Sequence, residues 1–368
     1  MGVRELHMKQ ARKVLSTYSS DTFGVISALY GLGGLLVMHD ASGCNSTFTT
    51  HDEPRWFGDD GLVFVSAVTE DEAVMGTAGD RLAADMIETA NYYHPKFTAI
   101  ASTPIPWMTG SDIDLTAAQI EESTGIPSFG FDVSGMKTYE AGASAALLAI
   151  TERFCTGEAS TRKGTVAILG ATPLDIEEEQ LDHIGVVLRD SGKEVICTSS
   201  MNGTLEELAE AKNAEVALVV SVVGIDQAEY LYKTYGVPYV IGLPCGPVTD
   251  RAVTDALEKA IATGKPVTVF EDAVSDETSK TVIIGEVVAS RSLALEKGGA
   301  RVIVPTQDSK HIAALLSAGD KVIVDEAELE NELKSASDVY ADGLYKFIIP
   351  SGARLIKVHH RAYSGRIY

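Results

Sequence analysis

Two places in this chain combine residue types that do chemistry. The first is the stretch from Met38 to Thr50, MHDASGCNSTFTT, which sets Cys44 in a Gly-Cys turn just after a glycine-rich apolar run. A thiol placed in such a turn is poised to ligate a metal once it loses its proton. The second is the closing stretch RLIKVHHRAYSGRIY, where a strand candidate delivers His359, His360 and Arg361 just ahead of Tyr363. An imidazole at a strand end can bind a metal, move a proton or pair with a carboxylate. A further thiol, Cys245 in LPCGP, follows another strand candidate. It either opens toward a crevice between domains or is a buried, inert sulfur. Cys155 and Cys197 read as packing residues.

The elements that must position these groups are bounded by composition. With 368 residues and 45% hydrophobic content, the chain can build two or three α/β domains. The 52 acidic side chains outnumber 30 basic ones for a net charge of −22, and no Lys/Arg-rich stretch offers a counter-surface to nucleic acid or anionic membrane. The four cysteines lie far apart without a CxxC pair, which argues against a disulfide framework and for a reducing cytoplasm. The start MGVRELHMKQARKVL has no signal-peptide apolar core, and no apolar run approaches membrane-spanning length. The expectation is a soluble cytoplasmic protein with a small-molecule partner, not nucleic acid and not membrane.

From about residue 60 onward, short β-branched runs alternate with amphipathic helical stretches, the pattern of parallel sheets in doubly wound, Rossmann-like α/β domains. Strands are expected at Leu62–Val68, Phe97–Ser102 and Ser128–Val133, with helices at Thr77–Tyr93, Leu115–Ser123 and Tyr139–Phe154. A linker-like segment, CTGEASTRKG, precedes a second group in which TVAILGA, EVICTS, EVALVVSV and PYVIGLP are strands, with DIEEEQLDHIGVVLRDSG from Asp175, TLEELAEAKNA and IDQAEYLYKTYG as helices between them. A third group begins near Thr281 with TVIIGE, RVIVPT, KVIVDE and RLIKVHH. Three domains follow, over residues 1–156, 163–264 and 265–368. The glycine loops at Gly170 and Gly285 complete neither GxGxxG nor GxxxxGK[ST], so they serve backbone geometry rather than a nucleotide.

The order of motifs resembles the component 1 proteins of nitrogenase and their relatives in protochlorophyllide, chlorophyllide and coenzyme F430 biosynthesis. HDASGC at His39–Cys44 is similar to the family's His-Gly-Pro-x-Gly-Cys turn. STPIPWMTGSDI at Ser102–Ile113 resembles its Cys-Pro-x-x-x-x-Gly-Asp-Asp-Ile element, FDVSGMKTYEAG its next glycine-spaced loop, and HHRAYSGRIY its His-x-x-x-Tyr-Ser-Gly ending. The resemblance implies three doubly wound domains around a central crevice and a nitrogenase-like oxidoreductase subunit. It further implies an iron–sulfur cluster at a subunit interface, electrons from an ATP-dependent iron–sulfur reductase, and a homodimer or a heteromer with another component 1 subunit. A second metallocofactor or a tetrapyrrole in the crevice belongs to the same picture.

The departures from the family matter as much. A full cluster site takes three cysteines per subunit, and here only Cys44 remains; the others fall at Ser20 and at Thr103 or Pro104, which do not donate as thiolates do. The resemblance then leaves Cys44 as a ligand, with His39, Asp40, His51 or Asp52 as auxiliaries and thiolates from a partner, or else the cluster has been lost. The cofactor cysteine of the second domain falls at Val220 or Ser221, whereas the cofactor histidine corresponds to His359. Trp107 fills space beside the cluster position or walls a flat ligand. An oxidoreductase subunit and a non-catalytic scaffold for metallocofactor or tetrapyrrole assembly are the two functions that fit, with a plain small-molecule receptor behind them.

Overall fold

A computed structural model describes residues 13–14, 19–41, 61–271, 273 and 275–364. The first unit contains α1 (Asp21–Leu29), β1 (Leu35–His39), β2 (Leu62–Val65), α2 (Glu70–Met75), α3 (Ala78–Tyr93), β3 (Thr98–Ser102), α4 (Pro104–Met108), α5 (Ile113–Thr124), β4 (Ser128–Phe131) and α6 (Tyr139–Phe154). Its four parallel strands lie in the order β2-β1-β3-β4. The second contains β5 (Arg162–Leu169), α7 (Glu178–Asp190), β6 (Glu194–Thr198), α8 (Leu205–Glu210), β7 (Ala214–Val219), α9 (Ile225–Tyr235), β8 (Tyr239–Ile241), α10 (Pro247–Thr263) and β9 (Val267–Thr268), in the order β6-β5-β7-β8-β9. The third contains β10 (Thr281–Ile284), α11 (Val287–Glu296), β11 (Arg301–Val304), α12 (Ile312–Leu315), β12 (Lys321–Val322), α13 (Glu326–Leu333), β13 (Asp338–Ala341), β14 (Arg354–Lys357) and α14 (Arg361–Ser364), in the order β12-β11-β10-β13-β14.

All three sheets are parallel, so the expected fold class is the one the chain forms. Their central strands are buried on both faces and therefore read as continuous apolar runs: LLVMH in β1 and RVIV in β11 are buried throughout. Helix starts are fixed by side-chain caps. Thr69 and Thr204 form capping boxes with Glu72 and Glu207, and Asp112 accepts from Leu115 N at 2.9 Å.

Several elements were not expected from the sequence, α2, α4, α10 and β9 among them, and two of them shape the interior: β1, one of the two central strands of the first sheet, and α1, whose nine residues are all buried. With no polar face, α1 has no amphipathic period to read. It packs against α6 at backbone contact: a Cβ at Gly24 would lie 2.2 Å from Tyr139 O, and one at Gly142 would lie 1.8 Å from Asp21 O. The second sheet takes in Val267–Thr268, past the residue 264 at which the sequence closes that unit. The helix expected from Asp175 starts at Glu178, because Asp175 turns into the protein's interior and Glu177 forms the capping box with Gln180. Among the described residues no helix is long and apolar enough to cross a membrane.

Candidate functional site

In a doubly wound sheet, ligands bind beyond the carboxyl ends of the strands where the strand order reverses. Here the reversal falls between β1 and β3, between β5 and β7, and between β10 and β13. The ends of those six strands and the loops leaving them carry His39, Asp40 and Thr103; Asp175 and Ser221; and Glu286 and Asp342.

At the first reversal, Thr103 Oγ1 lies 2.7 Å from Asp40 Oδ1 and 2.9 Å from His39 O, donating its one hydrogen between them. Ser66 Oγ sits 3.0 Å from His39 Nδ1 and accepts Asp40 N–H at 3.1 Å. His39 is fully buried, and burial lowers its pKa to about 4, so the ring is neutral. Its Nε2 has no hydrogen-bond partner among the described residues. Trp107 lies on α4, not on a loop; it is half-exposed and donates from Nε1 to Asp132 Oδ1 at 3.1 Å. Cys44, His51 and Asp52 lie outside the described residues.

The second and third reversals meet the start of α6. Asp175 accepts hydrogen bonds from Tyr139 Oη, from Ser221 Oγ and from His360 Nε2, the last at 2.9 Å. Glu286 caps α11 by accepting Ala289 N–H at 2.7 Å and takes Val222 N–H on its other oxygen at 2.9 Å. Glu140 accepts from Thr138 Oγ1 and, at 2.5 Å, from Thr306 Oγ1. Burial pushes Glu140 up to about 7; burial and then the charge of Asp175 push Glu286 to about 7 as well. Tyr139 and Tyr363 are fully buried and held as neutral phenols, first by burial and then by the surrounding acids. The His360 ring packs edge-on against Tyr363 with centroids 3.9 Å apart, and its backbone N–H bonds Asp342 at 3.0 Å.

The structure therefore brings together Ser221, His360 and Tyr363, and sets His359 and Arg361 in an adjoining layer. His359 Nδ1 lies 2.8 Å from Glu177 Oε1 and Nε2 lies 3.3 Å from Ser364 Oγ. Arg361 donates to the other oxygen of Glu177 at 2.8 Å. Cys245 is elsewhere, at the start of α10, where its Sγ takes the Thr249 hydroxyl at 3.5 Å and burial raises its pKa. Cys155 and Cys197 are buried packing groups. Sequence reasoning missed Glu140, Asp175 and Glu286. Each looks like an ordinary acid near a helix start, and the one usable signal was that Glu286 follows closely on the end of a strand.

Two tests of fit follow for groups that an implied cofactor needs. At the first reversal the fit is partial: in its Nδ1–H tautomer His39 offers a buried nitrogen lone pair, but Ser20 caps α1 by accepting Phe23 N–H and the Thr103 hydroxyl is committed to Asp40. At the junction a metal cofactor does not fit, because both His359 nitrogens and the Ser221 hydroxyl are already engaged. No group of three or more His, Cys, Asp or Glu among the described residues is arranged to hold a metal.

Three parallel doubly wound sheets, two of whose switch points meet the start of α6 at one buried acid–base junction, define the chain as an α/β protein. The chain belongs to the nitrogenase component 1 type oxidoreductase family, whose model matches residues 20–317. It is 26% identical over 214 residues to the nitrogenase iron-molybdenum cofactor biosynthesis protein NifE of Klebsiella pneumoniae, a match covering 55% of this chain and 46% of that protein. The chain thus spans about half the length of that relative. Solved structures described as nitrogenase Cp1 at pH 6.5 and at pH 5 share the fold, with TM-scores of 0.70 and 0.63 and identities of 17% and 16%. Each covers 96% of this chain, and the matches take in 88% and 85% of those chains.

Proposed function

We propose that this chain is a redox subunit of the component 1 type that reduces a small molecule or cofactor at the junction of its three units. The observation that carries this reading is the junction itself. Strand ends of two sheets and the start of α6 converge there on buried acids that burial keeps protonated toward neutral pH, Glu140 and Glu286. Each electron added to a bound molecule raises its basicity, and a reductase site must hold protons out of bulk water for that moment. Cys44, with His39 as a neutral nitrogen donor, is the candidate holder of an iron–sulfur cluster shared with a second subunit. A cluster held there would supply single low-potential electrons. The chain's own part is to keep His39 neutral by burial, to orient Asp40 through Thr103, and to hold protons at the junction. The electron source is an ATP-dependent iron–sulfur reductase, and the working location is the cytoplasm.

A second reading, a scaffold for metallocofactor or tetrapyrrole assembly, is favoured by the commitment of Ser20 and Thr103 to hydrogen bonds where the family places thiolates, and by the likeness to a cofactor biosynthesis protein. One experiment separates the two. Protein purified without oxygen is assayed for iron and acid-labile sulfide and for electron uptake from a low-potential donor, beside Cys44→Ser. Bound iron and sulfide with electron uptake, both lost in the variant, support the redox subunit; a colourless protein that takes up a preformed cofactor or a tetrapyrrole supports the scaffold.

A further inference from the structure

Glu140, Asp175 and Glu286 come from three different units, and all three side chains are buried. They are laced in one direction around the junction. Glu140 of the first unit accepts from Thr306 of the third at 2.5 Å. Glu286 of the third accepts from Val222 N–H of the second at 2.9 Å. Asp175 of the second accepts from Tyr139 of the first. Each unit gives one carboxylate and one donor, and the ring closes.

Among the described residues neither Glu140 nor Glu286 has a Lys or Arg partner. The groups that face the ring are His360 and Tyr363 from the closing segment, Tyr139 from α6, Ser221 from the loop after β7, and Asp342 beneath the His360 backbone. Tyr345, from the turn that follows Asp342, faces Tyr363. Three carboxylates held this near one another in a medium of low polarity cannot all be charged without strong repulsion. The donors decide where a proton goes. Glu286 faces backbone N–H groups on both oxygens, and these can only donate. Glu140 faces only hydroxyls, which can turn and accept.

We propose that this ring is a proton-operated clasp: a proton on Glu140 keeps the three units closed over the junction, and its loss loosens them and admits solvent. The inference goes beyond the redox reading, since it needs neither electrons nor a cofactor. Because the closed form holds the proton and the open form releases it, opening becomes easier as pH rises until the closed form has itself deprotonated.

The test is hydrogen–deuterium exchange of the whole protein, corrected for intrinsic exchange, over residues 139–142, 171–176, 221–224 and 359–364. Protection there falls about tenfold per pH unit between about pH 5 and about pH 7 and then levels, while the sheet centres hold. Glu140→Gln keeps the hydroxyl partners and removes the titrating proton, so its protection starts high and falls less steeply with pH than that of the wild type. A flat wild-type profile, or an unchanged slope in Glu140→Gln, overturns the clasp. Infrared difference spectra of the wild type give a second readout, a protonated-carboxyl band that disappears near neutral pH. Thr306→Val removes a donor to the charged form and moves that midpoint upward; an unmoved midpoint, or no such band, also overturns the proposal.

Discussion

Asp175 Oδ1 and His360 Nε2 lie 2.9 Å apart although 185 positions separate them in the chain. The contact ties the loop after β5 to the segment after β14, and the same carboxylate is held by Tyr139 and Ser221. A carboxylate with three donors and almost no exposure is an anchor whose loss strands its partners in a dry environment.

Asp175→Asn replaces an acceptor with a donor and therefore costs about 3 kcal/mol of folding stability. The check is a urea titration, with a lowered midpoint and an unchanged slope. His359→Ala, at a partly exposed pair with Glu177, costs about 1 kcal/mol or less.

The pH dependence of stability has two opposed parts. Glu140 rises from an ordinary 4.5 to about 7, so its contribution is full below about pH 4.5 and is lost as pH climbs toward 7, about 3 kcal/mol in all. Glu286 acts in the same direction. His39 falls from 6.5 to about 4, so its contribution is full above 6.5 and is lost as pH drops toward 4. Thermal unfolding across this range depends less on pH in Glu140→Gln than in the wild type, because the opposed contributions of His39 and Glu286 then remain and largely offset each other.

Gly142→Ala drives a methyl group into the Asp21 carbonyl and destabilises the protein by about 3 kcal/mol or prevents α1 from docking. Gly185→Ala, inside α7 where an added Cβ meets nothing within 4 Å, stabilises it by about 0.5 to 1 kcal/mol. Melting temperatures of the two variants should shift in opposite directions; shifts of one sign would contradict this account of the α1–α6 crossing.

Thr103→Val leaves Asp40 Oδ1 without its hydroxyl donor and costs about 1 to 2 kcal/mol. Trp107→Phe, which removes only the bond to Asp132 at the surface, changes stability by about 0.5 kcal/mol at most. Denaturant midpoints of both variants, measured side by side, test the ranking.

How much of this was legible in the sequence follows from what burial does to each signal. The sheets were readable because runs such as TVAIL and RVIV are apolar, short and flanked by turns. The edge strands β9 and β12 shrink to two residues each, and α1 is buried on every side, so periodicity had little to report there. At the junction His360 and Tyr363 were found through a motif in one continuous segment. Glu140, Asp175 and Glu286 were not, because their significance lies in meeting across three units, which no local pattern encodes. The acidic run from Asp175 onward has the composition of a helix, which hides that the helix starts three residues later, at Glu178.

The crossing of α1 with α6 also governs the order in which the chain can be completed. The glycines that permit it, Gly24 and Gly142, stand over a hundred positions apart, with the whole first sheet between them. Contacts of that span are slow to form, since a long loop must close before any of them is made. During synthesis α1 therefore waits, its Phe23, Val25, Ile26 and Leu29 uncovered, until Phe154 has left the ribosome, and that interval is when the young chain most needs shelter from aggregation.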